Sequence, residues 1–399
     1  MKLCSCKCQP QGTAVHADRS ASLSRRGALI VSGLLAGVLL AATAGAQDQR
    51  LGLLFSPGPA GWWDSERVSC PRVLPGDVTT PWRMWYYGRD EGFDRSITLP
   101  TGRVGLAESP DGLEWTRVRG PLTKGSVLEP HSDPRRFDSA HLGISDIARH
   151  GDLYWMWYLG GRRDAGPGGR PGFPMLPGLA LSRNGIDWVR VEGPYSGAML
   201  DVGKAGEFDE RMVSWPQMVP LDDGTWRLYY HTVTAAGEFW VAVAESADGF
   251  RWEKRGKILG PGPSGRFDDL GVATRHVIRH GGRWLMFYEG VGDIGEGPAV
   301  SRQLGVAVSD DGLDWRRIDG ADRGGSILAQ VPAGEGGWDH RLGCPWVVPM
   351  EDGSLRLYYI GSNERPAGMG HAELFSVHQI GLAVSDGDIR QWRRMEARQ

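Results

Sequence analysis

The chain has 399 residues, with 45 Lys and Arg against 48 Asp and Glu and a formal net charge of −3. That near balance gives no electrostatic reason to expect a nucleic acid or an anionic membrane as partner. Gly at 59 residues and Trp at 17 fit many tight turns and indoles spread over several sheet faces, and no Gly-rich loop follows a strand pattern and opens a helix, so nothing points to a nucleotide or redox cofactor.

In chain order, residues 1–46 come first and read differently from the rest. Ser24-Arg25-Arg26 leads into an apolar stretch from Ala28 to Ala42 and then Ala44-Gly45-Ala46, the pattern of an export signal with a small-residue cleavage site. The stretch is short for a membrane span, and the paired arginines after a long polar leader resemble the twin-arginine class. The expected mature chain starts near Gln47, is periplasmic or secreted and keeps no membrane span. Cys4, Cys6 and Cys8 would leave with the leader, which has no fold to hold a metal.

From residue 62 onward five units follow, each built the same way. A unit opens with an aromatic-Asp pair: Trp63-Asp64, Phe137-Asp138, Phe208-Asp209, Phe267-Asp268 and Trp338-Asp339. An apolar first strand follows at Val68-Ser-Cys-Pro71, Leu142-Gly-Ile-Ser145, Val213-Ser-Trp-Pro216, Val272-Ala-Thr-Arg275 and Leu342-Gly-Cys-Pro345. The second strand is aromatic, as in Met84-Trp-Tyr-Tyr87, Trp155-Met-Trp-Tyr158 and Arg356-Leu-Tyr-Tyr359, the composition of buried or half-buried strands.

A third strand around Gly-Leu-Ala ends in a recurring phrase. It reads Ser109-Pro-Asp-Gly-Leu-Glu-Trp115, Ser182-Arg-Asn-Gly-Ile-Asp-Trp188, Ser246-Ala-Asp-Gly-Phe-Arg-Trp252, Ser309-Asp-Asp-Gly-Leu-Asp-Trp315 and, more loosely, Ser385-Asp-Gly-Asp-Ile-Arg-Gln-Trp392. We read the phrase as a tight Asp-Gly turn into a charged fourth strand. The serines lie 73, 64, 63 and 76 residues apart, a period that suits four strands plus loops. The chain is therefore expected to be all-β: one five-bladed β-propeller of four-stranded antiparallel blades over residues 47–399.

Spacing, unit number and unit order together resemble the five-bladed β-propeller glycosidase superfamily of arabinanases, levansucrases and invertases (glycoside hydrolase families 43, 32 and 68). The likeness is closest to family-43-like proteins of unassigned activity. It implies an axial pocket in which a nucleophile or base, an orienting Asp and a general acid act together, because glycosidic cleavage needs one protonated and one ionised carboxyl across the bond. The resemblance leaves room for a structural calcium ion in the axial channel and implies no other cofactor. In family 43 and the invertases the first-blade Asp stands directly before a proline of the innermost strand. Here that place holds Cys70, and the corresponding slots hold Ile144, Trp215, Thr274 and Cys344, so the family's base is absent from it. Cys70 and Cys344 occupy matching places in the first and last units, and a closing disulfide would need their Cα atoms within about 7 Å.

One residue further along the first strands lies a more varied ring, Arg72, Asp146, Gln217, His276 and Trp346, which strand alternation puts on one level and one side. A residue that differs from its counterparts is free to serve a single shared pocket. On that logic Asp146 and His276 stand out, and the resemblance makes Asp146, in the blade that supplies the family's orienting Asp, the expected orienting group. Asp64 recurs in every unit and is the exception, because Trp63-Asp64-Ser65 is similar to the levansucrase nucleophile motif, which makes it the expected base or nucleophile. Glu210, with no glutamate at the equivalent places, is the acid. The expected substrate-binding residues are Arg72, Gln217, His231, His276 and Glu289, with Trp63, Trp215 and Trp346 available to stack on sugar rings. The competing readings are a partner to Arg72 or Arg275 for Asp146, salt bridges or solvated loops for Glu210 and Glu289, and satisfied buried rings for the histidines. The recurring Asp residues are expected to cap loops or bind backbone amides. Long stretches at 89–101, 162–177 and 289–301 are expected to shape a binding mouth. The sequence thus points to an exported, monomeric glycoside hydrolase acting on an oligo- or polysaccharide, with an inactive carbohydrate-binding propeller and a protein-binding propeller as the alternatives.

Overall fold

The computed structural model describes residues 50–92, 102–162, 174–292, 301–331, 337–363 and 377–396. Contacts divide the chain into residues 1–48 and 49–399, and all described residues belong to the second unit. The expected export signal and the central parts of the three long stretches lie outside them. No helix among the described residues is long and apolar enough to cross a membrane.

The fold is all-β and repeats one sheet pattern. In the first unit β2 (Arg67–Leu74), β3 (Trp82–Arg89), β4 (Arg103–Ser109) and β5 (Thr116–Val118) pair in that order, each antiparallel to the next. The second holds β6 (His141–His150), β7 (Leu153–Gly161), β8 (Leu176–Ser182) and β9 (Val189–Arg190). The third holds β10 (Ser214–Pro220), β11 (Trp226–Val233), β12 (Phe239–Ser246) and β13 (Glu253–Leu259), and the fourth β14 (Gly271–His280), β15 (Arg283–Gly292), β16 (Ser301–Ser309) and β17 (Arg316–Ile318). A single parallel pairing of Phe239 with Gly271 joins these two into one eight-stranded sheet. The last unit holds β18 (Arg341–Pro349), β19 (Leu355–Ser362), β20 (His378–Ser385) and β21 (Arg393–Arg394).

The last sheet also takes a strand that sequence reasoning missed. β1 (Leu53–Phe55) pairs with β20 at Gly381 and Ile380, beside the β21 pairing at Ala383 and Val384. Gly52 N–H donates to Met395 O at 2.9 Å, and Gly52 O accepts from Leu382 N–H at 2.8 Å. The first strands lie side by side in the order β2, β6, β10, β14, β18 and back to β2. Cys70 and Cys344 form a disulfide between β2 and β18, with Cα atoms 5.1 Å apart, inside the range a bridge allows.

The recurring phrase is longer than a two-residue hairpin turn. β4 ends at Ser109 and β5 begins at Thr116, and side chains organise the residues between. Ser109 Oγ accepts from Gly112 N–H at 2.9 Å, and Asp111 Oδ1 accepts from Leu113 N–H at 2.9 Å and Glu114 N–H at 3.2 Å. Short polar side chains compete well for backbone donors in this way. The same bonds recur around Asn184, Asp248 and Asp311. The phrase then reaches the preceding unit. Trp315 packs edge-on against Tyr229, Trp188 against Trp85 and Trp252 against Trp157, while Trp115 of the first unit packs against Tyr358 of the last. Tyr229 and Tyr358 hydroxyls donate to Gly312 O and Gly112 O, each at 2.9 Å.

The aromatic-Asp pairs repeat for a different reason from loop capping. Asp64, Asp138, Asp209, Asp268 and Asp339 are all buried, and each Oδ2 accepts from a second-strand hydroxyl: Tyr86, Tyr158, Tyr230, Tyr288 or Tyr359, at 2.8 to 3.1 Å. Each also pairs with a fourth-strand cation, Arg117, Arg190, Lys254, Arg317 or Arg394, at 2.6 to 2.8 Å. A buried carboxylate is tolerable when a cation and a hydroxyl both answer it, so the clamp ties the entry of each unit to its outer strand.

Candidate functional site

Each first strand carries a register slip at the same height, between Ser69 and Arg72, Ile144 and Asp146, Ser214 and Gln217, Val272 and Arg275, and Gly343 and Trp346. At three of them the residue before proline has positive φ: Cys70 at 51°, Trp215 at 51° and Cys344 at 46°. A following proline disfavours the right-handed helical region, and a slip of this kind re-aims the side chains beyond it. The result brings Arg72, Asp146, Gln217, His276 and Trp346 to one buried level.

Their polar atoms form a circuit from strand to strand. Arg72 Nε donates to Ser145 O of β6 at 2.5 Å, and Asp146 Oδ2 accepts from Met218 N–H of β10 at 3.0 Å. Gln217 takes both main-chain groups of Val277 in β14, at 2.9 and 2.8 Å. His276 Nδ1 accepts from Val347 N–H of β18 at 2.9 Å, and Trp346 Nε1 donates to Val73 O of β2 at 2.7 Å. The variety between units, which the sequence presents as freedom to serve a ligand, is here five ways of bridging to the next strand's backbone. His276 and Trp346 also stack at 3.8 Å, with the Arg72 guanidinium 5.2 Å from the indole. Because its Nδ1 accepts a hydrogen bond, His276 is the neutral Nε2–H tautomer. Burial, aided by the charges of Arg72 and Arg275, holds its basicity well below the ordinary histidine value.

Asp146 keeps chemical interest within this circuit. Burial pushes its pKa up to about 6 against the opposing pull of the Met218 N–H bond and the charges of Arg72 and Arg275. Burial likewise lowers Arg72 to about 10 and Arg275 to about 9. Arg275 donates to Trp215 O and Tyr229 O, and Trp215 remains half-buried.

The other expected site residues separate. Asp64, the expected base or nucleophile, sits in the same tyrosine-and-cation clamp as its four counterparts, held by Tyr86 of β3 and Arg117 of β5. Glu210 Oε2 accepts from Gly206 N–H at 2.6 Å, and Asp269 makes the same bond to Gly265 at 3.1 Å in the fourth unit. Glu210, the expected acid, thus braces its loop as Asp269 does in the fourth unit. Trp63 is buried against Tyr86, ring centroids 5.1 Å apart, and belongs to the core. His231 stacks on Phe239 at 5.6 Å, and burial lowers its pKa to about 3, with Arg275 and Arg302 adding to the effect. Glu289 is buried beside the disulfide: Oε2 accepts from Thr274 Oγ1 and, at 3.1 Å, from Cys344 N–H, while Oε1 pairs with Arg302. A side chain at Gly343 would fall 2.6 Å from Glu289 Oε2.

A basic cluster was not foreseen. Arg67 donates to His378 at 2.8 Å, and Ser69 Oγ lies 3.3 Å from the same ring nitrogen. Burial holds His378 well below the ordinary histidine value, and the charges of Arg67, Arg89, Arg302 and Arg341 add to that effect. These residues stand at the starts of β2, β16, β18 and β20 and the end of β3, which antiparallel pairing gathers at one edge of the units. The available signal was arginine recurring at strand ends beside the long loops. Among the described residues, no group of three or more His, Cys, Asp or Glu side chains is placed to hold a metal ion.

No family model matches the chain. An uncharacterized protein of Mycobacterium tuberculosis, Rv1502, is 26% identical over 284 residues, spanning 69% of this chain and 84% of its own. Among solved structures, a glycosyl hydrolase from Bacteroides ovatus matches 88% of this chain and 94% of its own at 19% identity and a TM-score of 0.60. A thermostable family-43 glycoside hydrolase matches 83% and 95% at 16% identity and a TM-score of 0.55. Glycoside hydrolases of families 32 and 117 share the likeness. With the repeated four-stranded sheets described above, these matches show that the chain shares the all-β fold of these glycoside hydrolase structures.

Proposed function

We propose that the chain is an exported five-bladed β-propeller that binds an oligo- or polysaccharide in a pocket on its axis. The five four-stranded units, the cyclic order of their first strands and the completion of the last sheet by β1 support the blade count. Fold likeness supports the ligand class without fixing the chemistry.

The observation that carries binding over hydrolysis is the engagement of the carboxyls. Asp64 is clamped to Tyr86 and Arg117, Glu210 braces Gly206, and Cys70 occupies the family's base position as half of a disulfide. Glycosidic cleavage needs two carboxyls in complementary protonation states. One observation favours hydrolysis as a second reading: Asp146 holds a proton up to about pH 6, and the fields of Asp146 and Glu289 both reach Arg72. In that reading Asp146 is the acid and Glu289 the base.

A thermal-shift glycan screen on residues 47–399, followed by product analysis of every hit, tests both readings. Stabilisation without sugar release supports binding. Release that is lost in both Asp146→Asn and Glu289→Gln, with folding confirmed by melting, replaces it with hydrolysis. No stabilisation by any saccharide transfers the role to a protein partner.

A further inference from the structure

We propose that the arginine-lined edge of this pocket is an oxyanion site, and that the saccharide it takes is acidic, bearing a carboxylate or a sulfate ester. The proposal rests on the saccharide reading above and narrows it. Arg67 of the first unit donates to His378 at 2.8 Å and faces Arg89 across the β2–β3 ladder. Arg341 of the fifth unit faces Ser362, which in turn faces His378, and Arg302 of the fourth unit, ion-paired with Glu289, adds its charge to the same ring, so three units contribute to one cluster around His378. Arg67 and Arg89 are 7% and 2% exposed, while Arg302 and Arg341 are half-buried, which grades the cluster from a fixed floor to an open rim.

Guanidinium is the group suited to this task. Its planar fork matches carboxylate and sulfate oxygens two at a time, and such charge-assisted pairs are about twice as strong as neutral hydrogen bonds. Each fork has five N–H donors, so the protein contacts these arginines already make orient them and are compatible with a shared anion. His378 is kept neutral in their midst and adds a ring N–H donor without a further charge.

A second observation stands apart from the four arginines. Two buried nitrogens in the same electrostatic neighbourhood lack a hydrogen-bond partner: Nδ1 of His231, a residue 5% exposed, and Nε of Arg275, a residue 3% exposed. His231 feels the charges of both Arg275 and Arg302. Buried polar atoms are satisfied in the great majority of cases, so these two nitrogens mark the neighbourhood of Arg302 as incompletely paired.

Calorimetric titration of residues 47–399 with matched pairs tests the idea: oligogalacturonate against its methyl-esterified form, and a sulfated galactan oligosaccharide against its desulfated form, with inorganic sulfate alone as a further arm. The expected result is that at least one acidic member binds about tenfold or more tightly than its neutral match, and that the preference shrinks as ionic strength rises. Arg341→Gln, at the half-exposed rim, is expected to remove most of that preference, and Arg341→Lys to restore only part of it. Equal affinity for acidic and neutral partners would overturn the oxyanion site and leave the saccharide reading standing. Inorganic sulfate binding with no saccharide binding would overturn the saccharide identity, and silence in every arm would overturn both.

Discussion

Asp146 occupies an environment unlike that of an ordinary carboxylate. Its carboxyl is bonded to Met218 N–H and lies in the fields of two arginines, yet burial outweighs them and lifts the pKa from 3.8 to about 6. The native state therefore holds a proton that the unfolded chain has already released between those values. Stability falls as pH rises through that window, and the full penalty, about 3 kcal/mol, is present above pH 6. Asparagine keeps an acceptor for Met218 N–H and never ionises. Asp146→Asn is expected to stabilise the protein by about 1–3 kcal/mol at pH 7 and to be nearly neutral at pH 4. Urea denaturation at the two pH values measures this. A variant less stable than wild type at pH 7 would show that the arginines, not burial, govern this carboxyl.

Among elements, the connection after each third strand joins two jobs, turning the chain and gripping the previous unit. Gly312 shows both demands: its φ is 75°, and a Cβ there would lie 2.7 Å from Tyr229 Oη and 2.8 Å from Arg227 Nη1. Gly353, with φ of 85° and nothing within 4 Å of a Cβ, faces only the first demand. Gly353→Ala is expected to cost about 1–2 kcal/mol from backbone conformation alone. Gly312→Ala should cost clearly more, because the hydroxyl that bonds Gly312 O must also move. Equal losses in chemical denaturation would remove the grip from this account. The four strands of each unit were legible because aromatic runs, Gly-Leu-Ala and the Ser-x-Asp-Gly phrase recur at one spacing. The grip was not, since its partners lie in the preceding unit and no local pattern names them. The circuit of first-strand side chains from Arg72 to Trp346 was legible as a level but not in its use. Which main-chain group a side chain meets depends on register slips that sequence alternation does not reveal. The arginines around His378 read as ordinary strand-end charges until antiparallel pairing gathered them.

At the scale of the molecule, the first and last units are tied together twice over. β1 completes the outer edge of the last sheet at Gly381 and Ile380, and Cys70–Cys344 joins the innermost strands β2 and β18 across a sequence separation of 274 residues. Closing a loop of that length in the unfolded chain is worth about 6 kcal/mol in the chain-entropy account, but that figure belongs to whichever tie is made first. Once one tie holds the units adjacent, the second closes only a short path and contributes far less. Removing β1 by starting the chain at Pro57, or replacing both cysteines with serine, is therefore expected to lower stability only modestly, by about 1–2 kcal/mol each beyond the loss of local contacts. Removing both should cost well over the sum, because only contacts such as Trp115 on Tyr358 then hold the junction. Denaturation midpoints of the four proteins, measured under oxidising conditions, form a double-mutant cycle that reads this coupling directly. Simple additivity would mean that the strand and the disulfide secure separate parts of the fold and that the ring does not close through them as one unit.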